Sequence, residues 1–335
     1  MTPPDARGGS GPAGSAAGSP GRDIGELGEF ALIGRITAGL GASGPVVLGV
    51  GDDCAVLRLA GDLAVSTDTM VEGVHFRTDW SSANDVGHKA VASCVADAEA
   101  MGAVPIGLVV SLAAPATTPT AWVDGFAAGV REECAAAGVQ LVGGDTTSAA
   151  QIVITGTVLA DLGGLAPVPR SGARAGQVLA MVGRLGWAAA GVAVLGRGFR
   201  SPRAVVLAHR VPEVPYGQGR VAAEAGATAL IDVSDGLLAD LGHLARASGV
   251  TLDVDTSAFE IAEPQKAVAA AIGGGDPLVL QLTGGDDHAL VGAFDPGAVP
   301  KGWRVIGSVR AGAPEVLVDG APWTGPSAGW QHFGQ

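Results

Sequence analysis

The stretch Ser66-Thr67-Asp68-Thr69-Met70-Val71-Glu72-Gly73-Val74-His75-Phe76 sets three consecutive oxygen-bearing side chains at the end of a short apolar run. Residues 63–66 read as a strand, so Ser66, Thr67 and Asp68 stand where that strand stops. Oxygen ligands grouped in this way suit a metal site; the alternative is an Asx-turn or a helix N-cap. Four more acidic turns of small residues follow the same theme: Gly51-Asp52-Asp53, Gly143-Gly144-Asp145-Thr146-Thr147, Asp232-Val233-Ser234-Asp235-Gly236 and Gly284-Gly285-Asp286-Asp287. A carboxylate beside glycine can press close to an ion or a phosphate because no neighbouring side chain intervenes. Several carboxylates sharing one site cannot all stay ionised without cations. Hard divalent metal with oxygen-only ligands, above all magnesium holding a polyphosphate, meets that need. The turns therefore point to magnesium-dependent phosphate transfer.

Outward from this stretch, strands and helices alternate. A helix is predicted over residues 26–40, then strands over 46–50, 55–59 and 63–66. Asn84 reads as the N-cap of a helix reaching Met101, and Pro119 starts a helix that ends at Gly138. Strands are expected over 106–112, 139–142 and 152–159. The Gly/Pro-rich run 163–174 is the best domain boundary. Beyond it come a strand over 178–182 and helices over 188–195, 203–209 and 219–225. A strand over 229–232, a helix over 237–248 and strands over 251–254, 288–293, 303–309 and 316–318 complete the pattern. The expected fold class is α/β (α+β). Residues 23–165 would form an amino-terminal domain binding metal and ATP, and 166–335 a carboxy-terminal α/β domain.

Composition narrows the function. The chain has 335 residues, 47% hydrophobic and 16% charged, which describes a globular protein. Its net charge of −13 excludes a basic nucleic-acid surface. Cys54, Cys94 and Cys134 form no C-x-x-C pair, so neither zinc nor a disulfide framework is indicated, and a reducing cytoplasm is expected. No apolar run reaches membrane-spanning length. Residues 1–22, rich in Gly, Ser, Ala and Pro with no apolar core, read as a disordered tail and not as a signal peptide.

Two familiar phosphate motifs are excluded. Gly39-Leu40-Gly41-Ala42-Ser43-Gly44 follows a helix and precedes a strand, the reverse of a dinucleotide fingerprint, and reads as a loop. The only lysines, Lys89, Lys266 and Lys301, lie in no Walker A sequence. Other positions carry two readings. Gly51-Asp52-Asp53 is a hairpin turn or part of the metal site. Asp97 lies inside an apolar helix and needs a partner, metal before Lys89. Asp145, behind two glycines, is a polar turn or a phosphate site. Asp232 and Asp235 flank Ser234 at a strand-to-helix junction, with Asp240 an ordinary surface residue of the helix that follows. Arg170 is a phosphate clamp or a solvated linker residue. His75 is structural or functional.

Taken in order, these segments resemble thiamine-monophosphate kinases, from about Gly28 to Phe333. Gly28-Glu29-Phe30, the Ser66–Phe76 stretch, the Gly143 and Asp232 segments, Arg170-Ser171-Gly172-Ala173 and Gly329-Trp330-Gln331-His332-Phe333 all fit. Aminoimidazole ribonucleotide synthetase and selenophosphate synthetase, of the wider superfamily, share only parts of the set. The resemblance implies a two-domain, aminoimidazole ribonucleotide synthetase-like fold and a homodimer whose amino-terminal sheets join into a barrel. It implies ATP-dependent phosphorylation of thiamine monophosphate to thiamine diphosphate. Asp53, Ser66, Thr67, Asp68, Asp97, Asp145, Asp232 and Asp235 would hold several magnesium ions, with Asp53, Asp68, Asp97, Asp145 and Asp235 catalytic. Gly144, Asp145, Arg170 and Ser234 would contact ATP; His75, Asp286 and Trp330 would contact the thiamine substrate. This chain departs from the family pattern in Cys94-Val95-Ala96-Asp97, where N-x-S-D is usual. It departs again in Gly284-Gly285-Asp286-Asp287-His288-Ala289-Leu290, where G-G-E-D-Y-E-L is usual and Asp286 is one methylene shorter. Two rival readings are another ATP-dependent synthetase of the superfamily and a catalytically weak thiamine-phosphate binding protein. No basic residue adjoins Cys54 to activate it, which disfavours a selenophosphate synthetase.

Overall fold

The structure, a computed structural model, describes residues 23–51 and 53–330. The amino-terminal tail read over residues 1–22, Asp52 and the motif residues Gln331, His332 and Phe333 lie outside the described residues. Ile24–Leu27 (α1) and Glu29–Ile36 (α2) replace the single helix expected over 26–40, because Gly28 at φ 81° breaks the run. Val46–Leu48 (β1) and Val56–Leu57 (β2) pair antiparallel. Residues 39–44 form a loop, as their order of neighbours required.

Leu63–Val71 (β3) runs five residues further than expected. Ser66, Thr67 and Asp68 therefore lie in mid-strand, held by in-register pairing with Val153–Asp161 (β6) from Leu63 opposite Asp161 to Val71 opposite Val153. Ala83–Glu99 (α3) starts one residue before Asn84. Its N-cap is Ser82, whose Oγ accepts from the Asp85 N–H while the Asp85 carboxylate accepts from the Ser82 N–H, a reciprocal capping box that Asn84 lacks. Val104–Ala114 (β4), Thr120–Ala137 (α4) and Gln140–Ser148 (β5) follow. β5 does not stop at residue 142: parallel pairing with β4 carries it through Gly143-Gly144-Asp145, and a Cβ on Gly144 would sit 2.2 Å from the Val110 carbonyl. The sheet order is β3-β6-β4-β5, a half-barrel.

The second sheet is built from Val178–Val182 (β7), then Trp187–Leu195 (α5), Arg203–Arg210 (α6), Gln218–Glu224 (α7), Ala229–Val233 (β8), Leu237–Ser248 (α8) and Thr251–Val254 (β9). Glu263–Ala271 (α9) and Pro277–Thr283 (α10) have no counterpart in the sequence reading; each carries a proline at its start and is only two turns or so long, too short for a clear helical period. Ala289–Phe294 (β10), Arg304–Arg310 (β11), Val316–Val318 (β12) and Ala321–Pro322 (β13) complete seven strands in the order β13-β12-β9-β11-β7-β10-β8. Among the described residues no helix is long and apolar enough to cross a membrane.

The element that joins the two sheets is α3. Its residues from Val86 onward are almost all buried, because it packs on β3, β4 and β6 and against α4 on one side, and meets α6, α7 and β8 on the other. A helix covered all round must be apolar or pair every polar group it carries. Ala-rich sequence gives α3 its close contacts, and Lys89, Asp97 and Glu99 are the exceptions to be explained. Glu99 accepts from the Gly217 and Gly219 N–H groups, both at 2.7 Å, at the start of α7. The other two belong to the site.

Candidate active site

Between the sheets lies an acidic cleft. Alternation along β3 turns Ser66 and Asp68 toward α3, where Ser66 Oγ donates to Asp97 Oδ2 at 2.5 Å. Burial, then the fields of Asp232 and Asp68, push the Asp97 carboxyl up to about 6, against the Ser66 bond and the nearby His288. From the other side β8 delivers Asp232, only 3% exposed, whose Oδ2 lies 3.2 Å from His288 Nδ1. Burial disfavours the His288 imidazolium, yet its bond to Asp232 and the fields of Asp232, Asp286 and Asp68 raise it to about 9. His288 is thus a cation at neutral pH and the nearest compensation for Asp232.

Asp240 corrects the sequence reading. It is 4% exposed, not on the helix surface, and its Oδ2 accepts from the Asp235 and Gly236 N–H groups at 3.1 and 3.0 Å. One turn into α8, it reaches back to fix the turn that carries Asp235. Burial first, then Asp232, raise its carboxyl to about 7. That turn admits only glycine at its centre. Gly236 has φ 136°, and a Cβ there would come 2.6 Å from the Thr283 carbonyl.

Beside the cleft is a pocket of about 550 Å³. It gathers His75, Lys89, His209, Ser234, Asp286 and Trp330 among its walls, and so unites six separate segments of sequence. The Gly284-Gly285-Asp286-Asp287-His288 turn is laced to the end of β8: the Asp286 N–H donates to the Ser234 carbonyl at 2.8 Å and the His288 N–H to the Val233 carbonyl at 2.9 Å. Gly285 is required, since a Cβ would meet the Ser234 carbonyl at 2.3 Å. Asp286 and His288 take φ of 70° and 54°, a left-handed conformation held by this lacing. Asp287 turns away to cap α5, accepting from the Trp187 and Ala188 N–H groups, and burial lifts its carboxyl to about 7. Asp286 behaves oppositely. Although burial disfavours its charge, the Lys89 ammonium, and then His209 and His288, hold it well below the usual carboxylate range. Sequence reasoning offered Lys89 only as a lesser partner for Asp97; its true partner is Asp286, 197 residues away. The Trp330 N–H donates to the Asp235 carbonyl at 3.0 Å, which ties the chain's end to the cleft.

Not every expected residue joins this centre. The Thr67 side chain points to the opposite face of β3 and donates to the Gly156 carbonyl at 2.9 Å. Asp53 and the Gly144-Asp145 pair line a different cavity of about 490 Å³, against α2, α4 and β5. Gly144 shares its row with Asp68 across three strand spacings, roughly 14 Å. Asp145 falls in the next row, opposite Ser111, Thr155 and Thr69, on the other face. Arg170 is exposed beside α8; its charge reaches His243, which also senses Asp235. Among the described residues no three His, Cys, Asp or Glu side chains form a ready-made cage for one ion. The donor set still fits magnesium, which keeps most of its waters and takes one or two carboxylates together with substrate phosphates. Two carboxyls pushed up to about 6 and 7 mark the charge such an ion would relieve.

The half-barrel sheet with its adjoining α/β layer is the fold of AIR synthase related enzymes, to which the chain is similar. A family model described as "AIR synthase related protein, N-terminal domain" matches residues 51–161. Thiamine-monophosphate kinase of Mycobacterium tuberculosis is 50% identical over 312 residues, covering 92% of this chain and 93% of that protein. The structure of AaThiL complexed with AMPPCP and TMP superposes with a TM-score of 0.75 at 30% identity, over 92% of this chain and 98% of that one. Thiamine-monophosphate kinase from Stenotrophomonas maltophilia gives the same TM-score at 28% identity, over 88% and 96%. The chain belongs to the thiamine-monophosphate kinase family.

The Asp240 clamp is open to test. Asp240→Ala leaves two backbone donors unpaired and should destabilise the fold by about 1–3 kcal/mol, while Asp240→Asn, which keeps an acceptor, should lose less. Thermal unfolding of both variants measures this; an Ala variant as stable as wild type would exclude the clamp.

Proposed function

We propose that the protein transfers the γ-phosphoryl group of ATP to thiamine monophosphate, yielding thiamine diphosphate and ADP. The observation that carries the reading is the 550 Å³ pocket, in which His75, Ser234, Asp286 and Trp330 meet directly beside the acidic cleft. Thiamine monophosphate would lie in this pocket against His75, Asp286 and Trp330, with its phosphate turned to the cleft. That phosphate has its second pKa near 6, so it is already nucleophilic at neutral pH and needs no general base. A phosphate oxygen forms the new bond to the γ-phosphorus as the bond to the bridging oxygen breaks, and ADP leaves with that electron pair. Transfer is direct and forms no phosphoenzyme. Asp68, Asp97, Asp232 and Asp235 would hold magnesium, with Ser66 orienting Asp97 and Asp240 orienting the Asp235 turn. Magnesium would supply the positive charge that lets two anionic phosphates approach. Asp53, Gly144 and Asp145, in the neighbouring cavity, are assigned to the nucleotide's side together with Arg170 and Ser234. Asp53, Asp145 and Thr67 meet the ions only through movement of their segments or through main-chain oxygens.

The same reading assigns the protein to the cytoplasm and to a homodimer whose half-barrels pair. In support of pairing, Leu63, Val65 and Val104 stand 44%, 57% and 44% exposed on the uncovered face of the amino-terminal sheet. Sedimentation should give a dimer for wild type and a monomer for Val65→Asp; a wild-type monomer would remove the barrel.

Activity tests the reaction. Purified protein should convert thiamine monophosphate and ATP to thiamine diphosphate, stop with chelator and resume with added magnesium. Asp97→Asn, which keeps the Ser66 contact, should lower kcat by about a hundredfold or more while the protein stays folded. Undiminished turnover in Asp97→Asn, or in chelator, would refute the assignment of the cleft. Thiamine monophosphate binding with no turnover under any condition would favour the binding-protein reading.

A further inference from the structure

Lys89 is a buried lysine with every donor taken. It is 4% exposed, and its ammonium donates to the Asp286 carboxylate, to the His75 carbonyl at 3.1 Å and to the His209 carbonyl at 3.4 Å. These acceptors belong to three distant segments: the loop after β3, the end of α6 and the turn before β10. One charge carried by α3 thus ties together three walls of the substrate pocket. A buried ion pair contributes little to stability compared with apolar side chains of the same size, so stability alone does not account for this lysine.

Each group facing Asp286 can be named. Its Oδ2 meets Lys89 and lies 3.5 Å from His209 Nδ1, and its Oδ1 lies 4.0 Å from His288 Nε2. About a third of the side chain, 32%, remains exposed, and that part lines the pocket. The main chain at Asp286 is fixed by its left-handed conformation and its bond to Ser234. The short side chain has little freedom left, and Lys89 determines what it does.

We infer that Lys89 is a positioning and specificity-determining residue: by engaging Oδ2 it fixes the Asp286 carboxylate and turns its open edge toward the amine-bearing end of the substrate. This rests on the proposed kinase reaction. A lysine that only filled the interface would influence folding and leave substrate recognition alone.

Steady-state kinetics of wild type, Lys89→Met, Asp286→Asn and the double variant test the inference, with thiamine monophosphate and ATP varied separately. Each single variant should raise KM for thiamine monophosphate at least about tenfold and leave KM for ATP within about twofold. The double variant, which removes both charges and leaves neither buried alone, should be no worse than the worse single variant. It also keeps the test available if Lys89→Met folds poorly. Unchanged KM for thiamine monophosphate in Lys89→Met, or effects that multiply in the double variant, would overturn the inference. Absence of product from wild type would instead overturn the reaction; calorimetric binding of thiamine monophosphate to the same four proteins would then decide the role of Lys89 by the same criteria.

Discussion

Helix α3 has to be buried on all sides while carrying charge, and the rest of the architecture follows from how that is managed. An apolar helix in this position would simply cement two sheets together. Lys89, Asp97 and Glu99 make it into an electrical connection between them. Lys89 is satisfied by Asp286 and Glu99 by the start of α7, whereas Asp97 has the Ser66 hydroxyl on one side and further carboxylates around it. The first two are closed accounts of hydrogen bonds. Asp97 is not, because its neighbours Asp68 and Asp232 share its sign.

That imbalance separates the two functional regions. In the pocket of His75 and Trp330, Lys89 and Arg77 outnumber Asp286, the one carboxylate among its described lining residues, and the Lys89 ammonium favours the ionised form of Asp286. In the cleft the His288 imidazolium faces Asp232, and Asp97 and Asp240 are driven toward protonation. A site left short of positive charge at a junction of strand ends and helix starts suits a ligand that brings cations with it. Nucleotide accompanied by magnesium is such a ligand. His288 touches both regions, with Nδ1 toward Asp232 and Nε2 toward Asp286.

The sequence made much of this legible, for identifiable reasons. Glycine-flanked carboxylates announce close backbone approach, and the structure shows that approach at Gly285 and Gly236. Pro119 and Gly138 bound α4 as their backbone preferences require. Other features depended on partners distant in the chain. Ser66-Thr67-Asp68 has the pattern of a strand end because its polarity masks pairing with β6, and the glycines of β5 look like its end although β4 carries it onward. Asp240 has the pattern of a surface residue; only the turn folded over it shows otherwise. The Lys89–Asp286 pair spans 197 residues and has no local signal at all. α9 and α10 are short and weakly periodic, and tertiary packing decides them.

In the proposed reaction the cations sit in the cleft between Asp68, Asp97, Asp232 and Asp235. Crystals grown with manganese and a non-hydrolysable ATP analogue, measured at the manganese absorption edge, test it most directly. Anomalous peaks are expected within coordination distance of Asp97 and of at least one of Asp68, Asp232 and Asp235. Peaks confined to the cavity of Asp53 and Asp145, or an acidic cleft without metal while nucleotide is bound, would contradict it.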